Sequence, residues 1–339
     1  MGQFFTKNSD TILSGFEEIV RGRDVIDPFA GEHDLLKWAA RNGCSSFLGY
    51  DLDPKIPGTI QNDSIFNPPD YTGRIVLTNP PYLSKNKCKT DKSVYERWGQ
   101  NDLYKCHLAS LASHGCDETI QIIPSNFLSE SRDASRRNVF ASYSIKKATY
   151  WTEPVFDDAT TGICVIHMVR GGNDIQEFPV TLMPDNVTFD ARLDKKYSYL
   201  HGIDILRLMD ETPEIEVIKT DVGMDPPNTN IVIGLLDNGK WPIGISYNDG
   251  NPVYCNPKSF TTYQVTLPKY ELSEQQQRRV CDIFQDKFTF YRDKYHGMFL
   301  ANYMGANQKI LSRKYAHLLL SHAVLEVVGK PTTYDRFFS

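Results

Sequence analysis

Between Asp24 and Asp51 the chain carries an order of elements that few folds accommodate. A short apolar strand, Asp24-Val25-Ile26-Asp27, runs into a turn with a single glycine, Pro28-Phe29-Ala30-Gly31-Glu32-His33-Asp34. A helix from about Leu35 to Asn42 follows and is closed by Gly43. A second strand, Ser46-Phe47-Leu48-Gly49-Tyr50, then delivers Asp51 at its carboxyl end. Two strands joined by a helical crossover pair in parallel, and the right-handed crossover lays the helix on a sheet face. Strand, glycine turn, helix, strand and acid are the parts of a nucleotide-binding βαβ unit, with the acid ~20 residues after the glycine. Gly31 lets the backbone approach a ligand, and Asp51 has acceptors for two ribose hydroxyls.

The turn is not Gly-x-Gly-x-x-Gly. It places Asp27 and Glu32 where a pyrophosphate would be repelled. A ligand with a ribose but no phosphate fits better. S-adenosylmethionine is such a ligand, since its cationic amino and sulfonium groups would be attracted to Asp27. The plain alternative is a βα turn followed by an unrelated acid.

A second constraint is Thr78-Asn79-Pro80-Pro81-Tyr82-Leu83, after the apolar run Ile75-Val76-Leu77. Two prolines after a buried strand force an extended exit and leave no backbone N–H to donate. The exit is therefore rich in acceptors. The Asn79 amide oxygen and the Pro80 carbonyl can each take one N–H of a planar exocyclic amine, and the Tyr82 ring can stack on its face. Taken alone, the tetrapeptide also reads as an ordinary strand-to-loop exit. Upstream, Asn62-Asp63-Ser64-Ile65-Phe66 follows a weaker strand; Asp63 can accept from an adenine amino group, and Ile65 or Phe66 can cover its ring. Taken alone, Asp63 is a turn residue.

Around these stretches the apolar spacing predicts a helix over 9–22 and another from Asp102 to Ser113. Thr119 to Ile123 reads as a strand, 131–142 as a basic helix, and Lys147–Trp151 and Ile163–Val169 as the last strands of the sheet. Residues 84–100 are polar and basic and read as a mobile loop beside the site. Composition shifts at Gly171-Gly172-Asn173 toward short strands and turns rich in Asn, Asp, Pro, Gly and Tyr, with helices from about Ser273. The chain therefore reads as two domains, 1–170 and 171–339.

The 339 residues carry a net charge of −5, which gives no global basic excess for nucleic acid. Three local clusters do offer phosphate-neutralising charge: Lys85, Lys87, Lys89 and Lys92; Arg132, Arg136, Arg137, Lys146 and Lys147; and Lys309, Arg313 and Lys314. The seven cysteines are scattered without a Cys-x-x-Cys pair, which argues for reduced thiols and against structural zinc. No metal is expected. With no apolar run of membrane length and no signal peptide, a cytosol-like, cytoplasmic compartment and no membrane partner are expected.

Taken together and in order, these motifs resemble the gamma-class DNA adenine-N6 methyltransferases, S-adenosylmethionine-dependent enzymes of restriction-modification systems. The resemblance covers about residues 2 to 170. Gly2-Gln3-Phe4-Phe5-Thr6 is similar to the family's N-terminal cofactor motif, Asp27-Pro28-Phe29-Ala30-Gly31 to its glycine-loop motif, and Asn79-Pro80-Pro81-Tyr82 to its catalytic motif. Asp51 stands at its ribose-binding acid and Asp63 at its adenine-binding acid. Asp102-Leu103-Tyr104 and the Phe156 loop look like later elements. The resemblance implies a Rossmann-like α/β methyltransferase sheet with helices on both faces and a C-terminal mixed α+β target-recognition domain. It assigns Gln3, Phe4, Phe5, Thr6, Asp27, Phe29, Gly31, Asp51, Leu52, Asp63, Ser64 and Asn79 to the cofactor, and Asn79, Pro80, Tyr82 and Phe156 to catalysis, with Phe156 as the second stacking ring. One departure is His33, where the family has a second glycine; a β-carbon there restricts the turn.

The implied reaction moves a methyl from S-adenosylmethionine to N6 of an adenine flipped out of a short duplex site, leaving S-adenosylhomocysteine. The implied partners are double-stranded DNA and a cognate restriction endonuclease sharing the site, with the methyltransferase itself a monomer. RNA or protein-glutamine methylation, or a non-catalytic DNA-binding relative, are the alternatives. A small helical domain ahead of the cofactor motif is usual in the glutamine enzymes, whereas here the extra mass is C-terminal.

Overall fold

This computed structural model describes residues 8–130, 135–156, 162–237, 243–256, 261–305 and 308–329. The single helix expected over 9–22 is two short ones, α1 (Ser9–Ile12) and α2 (Glu17–Val20), separated at Gly15, whose φ is 87°. Then follow β1 (Asp24–Asp27), α3 (Asp34–Arg41), β2 (Ser46–Asp51), β3 (Ile60–Gln61) and β4 (Arg74–Thr78). Next come α4 (Ser93–Trp98), α5 (Leu103–His114), β5 (Glu118–Pro124), α6 (Ser135–Ser142), β6 (Tyr143–Trp151), β7 (Ile163–Arg170), β8 (Ile175–Met183) and β9 (Val187–Asp194).

The strands form one mixed sheet in the order β3-β2-β1-β4-β5-β7-β6-β8-β9. β3 through β5 are parallel, and β7 inserts antiparallel between β5 and β6. This is the Rossmann-like α/β architecture expected. Val25, Leu77, Ile120, Ile122 and Val165 bury one face against Ile12, Phe16, Val20, Leu36 and Trp38 of the first three helices and the turns between them. Side chains alternate along a strand. Gln121, between Ile120 and Ile122, accordingly lies beside His107 of α5 instead of joining that cluster.

The sheet runs past the expected boundary at residue 170. β8 pairs with β6 over Ala148–Trp151, and β9 with β8 along its length, so the chain divides near Tyr199 and Leu200. Pro179 stands inside β8, and a proline within a run argues against reading it as an interior strand.

The second unit is mixed α+β. A four-stranded sheet is built from β10 (Ile218–Lys219), β11 (Ile231–Gly234), β13 (Gly244–Tyr247) and β14 (Thr262–Thr266), and a three-stranded one from β12 (Leu236–Asp237), β15 (Ala301–Gly305) and β16 (Gln308–Ile310). Its helices are α7 (Ile203–Glu211), α8 (Glu274–Lys294) and α9 (Arg313–Val327). A capping box starts α8: Ser273 Oγ accepts from Gln276 N, and the Gln276 side chain accepts from Ser273 N. Among the described residues, no helix is long and apolar enough to cross a membrane.

Candidate functional site

Strand order reverses between β1 and β4, and in open α/β sheets the crevice at the carboxyl ends beside such a reversal is where ligands bind. A cavity of about 460 Å³ opens there. Its wall includes Phe29, Gly31, Asp51, Leu52, Asn62, Asp63, Ser64, Ile65, Phe66 and Asn79. Seven of the residues assigned to the cofactor from the sequence thus meet at one place: Phe29, Gly31, Asp51, Leu52, Asp63, Ser64 and Asn79.

The β1 turn is held from two sides. Ala30 N donates to the Tyr50 carbonyl at 2.7 Å, tying the turn to β2. Gly31 has a φ of 47°, and a β-carbon there would meet nothing within 4 Å, so hydrogen alone leaves the space beside it open to a ligand. Gly31 N donates to Asp51 Oδ2 at 2.9 Å, and Asp53 N donates to Asp51 Oδ1 at 2.9 Å. Each carboxylate oxygen keeps a second acceptor site. His33 adopts the left-handed conformation a glycine would take, with φ 63° and ψ 24°. Its Nε2 lies 2.6 Å from Thr59 Oγ1, and burial lowers its pKa, keeping the ring neutral.

Asp27 is placed differently. It is buried, it is absent from the cavity wall, and its Oδ1 accepts from Thr78 Oγ1 at 2.6 Å and from Phe29 N at 3.0 Å. Burial pushes its pKa up to about 7, against the lowering effect of those two hydrogen bonds.

Asp63 Oδ1 accepts from Phe66 N at 3.1 Å, which folds Ile65 and Phe66 back toward the cavity. Ser64 is buried, and its Oγ accepts from Asn62 Nδ2 at 3.1 Å. The Arg97 guanidinium lies 4.6 Å from the centre of the Phe66 ring, and Trp98 Nε1 donates to the Ile65 carbonyl at 3.1 Å. Both residues belong to α4, inside the stretch expected to be a mobile loop. Thr90, Asp91, Ser93, Val94 and Tyr95 form a wall of the cavity, and Tyr95, buried with Ile65, Cys88 and Cys106, anchors it. The stretch reads as a mobile loop because its apolar content is low; Tyr95 and Trp98 are the residues that could have marked it as folded.

At the end of β4, Asn79 and Pro81 line the cavity, whereas Pro80 is buried and absent from its wall. Tyr82 Oη lies 2.7 Å from Asn79 Oδ1 and 2.7 Å from the Ile122 carbonyl, two acceptors for its one proton. Burial raises the Tyr82 pKa well above the ordinary phenol value, so it stays a neutral donor. Leu83 N donates to Asp102 Oδ1 at 3.1 Å, and Leu103 N to the Leu83 carbonyl at 3.1 Å, which fastens the extended exit to the start of α5. Burial raises the Asp102 carboxyl to about 6. Phe156 packs in the core cluster with Leu77, Trp151 and Ile163 and is absent from the cavity wall.

Gln3, Phe4, Phe5 and Thr6 lie outside the described residues, as does Arg132. Arg136, expected among phosphate-neutralising charges, is fully buried; its Nε donates to the Ser198 carbonyl at 2.9 Å and its Nη1 to the Phe127 carbonyl at 2.7 Å. A guanidinium buried inside the fold and donating to two backbone carbonyls cannot also meet a phosphate. Lys147 is likewise committed, its ammonium bonded to the Gly15 carbonyl and lying 4.2 Å from the centre of the Phe16 ring. Lys87, Lys89 and Lys92 remain exposed. Among the described residues, no group of three or more His, Cys, Asp or Glu is placed to hold a metal ion.

No protein-family model matches the chain, and no curated protein sequence matches it. Among solved structures it is similar to the type IIG restriction endonuclease BpuSI, at 13% identity and a TM-score of 0.44 over 65% of this chain and 36% of that one. It is also similar to the methyltransferase subunit of a type I restriction-modification system from Streptococcus thermophilus, at 14% identity and a TM-score of 0.40 over 62% of this chain and 53% of that one. The chain spans about half or less of the length of these proteins.

Proposed function

We propose that this protein is an S-adenosylmethionine-dependent DNA methyltransferase acting on adenine N6, as the modification enzyme of a restriction-modification system. The observation that carries the reading is the meeting of Asn79 with Asp51 and Asp63 on one cavity at the strand-order reversal. The cavity's residues fit the cofactor. Its volume, about 460 Å³, suits a small molecule. Asp51, fixed by two backbone N–H groups, has acceptor sites left for ribose hydroxyls, and Gly31 leaves room beside it. Asp63 would accept from the adenine amino group, with Ile65 and Phe66 covering the ring and Leu52 and Ser64 bordering it. Gln3, Phe4, Phe5 and Thr6 would hold the methionine end. When bound, S-adenosylmethionine supplies an electrophilic methyl on its sulfonium.

The chain's own residues do the rest. Adenine N6 is a poor nucleophile because its lone pair is delocalised into the ring. Asn79 Oδ1 and the Pro80 carbonyl would accept the two N6 protons and draw the nitrogen toward tetrahedral geometry. Tyr82 and Phe156 would stack on the flipped base, each stack worth ~1–3 kcal/mol; Phe156 must leave its core cluster to do so. Orientation and placed dipoles supply the acceleration, and no strong base is required. The second unit, residues from about 200 onward, would read the duplex, and a nuclease partner would share the site.

Purified protein, labelled S-adenosylmethionine and unmethylated duplex DNA test the reading, with nucleoside mass analysis of the product. Label on adenine N6 in DNA is the expected result. Label only in RNA or in protein glutamine would replace the substrate, and cofactor binding without transfer to any of them would favour a non-catalytic DNA-binding role.

A further inference from the structure

The turn from Asp63 to Phe66 lies between β3 and β4 and belongs to no helix or strand. It is closed locally: Phe66 N donates to Asp63 Oδ1 at 3.1 Å, and Asn67 N donates to the Asp63 carbonyl at 2.7 Å. Ile65 is buried, but Phe66 is 36% exposed, so the core does not enclose its ring. A half-exposed ring on a turn samples several rotamers unless a neighbour selects one.

Two consecutive residues of α4 grip two consecutive residues of that turn. Trp98 Nε1 donates to the Ile65 carbonyl at 3.1 Å. The Arg97 guanidinium lies 4.6 Å from the centre of the Phe66 ring and 5.5 Å from that of the Trp98 ring, within cation–π range of both. α4 is itself fastened. Trp98 meets His114 of α5 edge to face, their ring centres 5.8 Å apart, and Tyr95 Oη donates to the Leu83 carbonyl at 2.9 Å. Asp63, Ile65 and Phe66 are on the cavity wall, whereas Arg97 and Trp98 are not, so their effect on a ligand there passes through the turn. Trp98 fixes the backbone two residues after Asp63, and with it the place of the carboxylate. Arg97 fixes the Phe66 ring.

We infer that Trp98 and Arg97 are positioning residues for the adenine end of the cofactor, Trp98 setting the cavity's preference for a purine that carries an amino group and Arg97 setting how firmly the ring is covered. The inference rests on the methyltransferase reading above, in which Asp63 and Phe66 meet that adenine.

Calorimetric titration with S-adenosylhomocysteine and with S-inosylhomocysteine, in which a carbonyl replaces the adenine amino group, separates the two roles. Wild type should bind the adenosyl ligand at least about tenfold more tightly, because a carboxylate accepts from an amino group and repels a carbonyl. Trp98→Phe keeps a ring against His114 and removes the N–H. It should narrow the preference to under about threefold, weakening the adenosyl ligand and leaving the inosyl one within about twofold. Arg97→Met keeps an unbranched stem and removes the charge. It should weaken both ligands alike, by about threefold, because ring cover does not distinguish the bases. A wild type without the preference, a Trp98→Phe variant that keeps it, or an equal loss of both ligands in that variant overturns the inference; the last is what a merely structural tryptophan gives. If Trp98→Phe does not fold, the exposed Arg97 decides: an equal loss of both ligands upholds the inference, and unchanged affinities overturn it. A wild-type protein that binds neither ligand would instead defeat the methyltransferase reading, and is seen before any variant is made.

Discussion

Asp27 and Asp51 end neighbouring strands of one sheet, and from the sequence both stand as cofactor acids. Their surroundings are opposed. Asp27 is sealed: one oxygen accepts from both Thr78 and Phe29, and burial carries its pKa to about 7. Asp51 is on the cavity wall, each oxygen steadied by a backbone N–H from a neighbouring turn. A carboxylate at a strand end is thus a structural or a binding group according to what encloses it, and adjacent positions can be divided between the two roles.

The sealed acid makes the larger prediction. The folded pKa of Asp27, about 7, lies above its ordinary value of 3.8, so the folded state binds more protons between those two values. Its contribution to stability is fully present below about pH 4 and is lost as pH rises through about 7, by something on the order of 4 kcal/mol. Urea unfolding should show wild type losing stability relative to Asp27→Asn over that window, and parallel curves would contradict a sealed Asp27. If Asp27 also faces the cationic end of the cofactor, S-adenosylmethionine affinity should rise through about pH 7 in wild type and stay flat in Asp27→Asn.

The cavity-lining acid comes next. Asp51→Ala should weaken S-adenosylmethionine by about 100-fold in calorimetric titration, the scale of two hydrogen bonds to a charged acceptor, with little change in unfolding. A loss under about fivefold would erase the distinction between the two acids. The smallest effect concerns the turn linking them. His33→Gly relieves a left-handed residue but removes the Thr59 contact, so stability should move by less than about 1 kcal/mol. A loss above about 2 kcal/mol would mean that the histidine holds the turn.

The parallel half of the sheet was legible because local chemistry set it. Apolar runs made β1, β2, β4 and β5, and Gly31 and the paired prolines marked where they end. Asn79, Asp51 and Asp63 were legible as candidates for the same reason. What depended on distant partners was not. The composition shift at Gly171-Gly172-Asn173 reads as a boundary, while β8 and β9 beyond it join the first sheet only through pairing with distant β6. Arg136 read as surface charge, since only tertiary packing brings the Ser198 and Phe127 carbonyls to it. The α4 wall was hidden by its own polarity, because its burial rests on few residues, Tyr95 foremost. Asp27 looked like Asp51 because access to the cavity, not residue type, separates them: both are buried, and Asp51 lines the cavity whereas Asp27 does not.

The central claim is that the Asn79 exit presents acceptors to an exocyclic amine. It is tested most directly by single-turnover methyl transfer to unmethylated duplex DNA with Asn79→Ala beside wild type, with DNA affinity measured on the same preparations. Wild type should place label on adenine N6, and Asn79→Ala should lose at least about 100-fold in rate while keeping DNA affinity within a few-fold. Equal rates in the two proteins would contradict it.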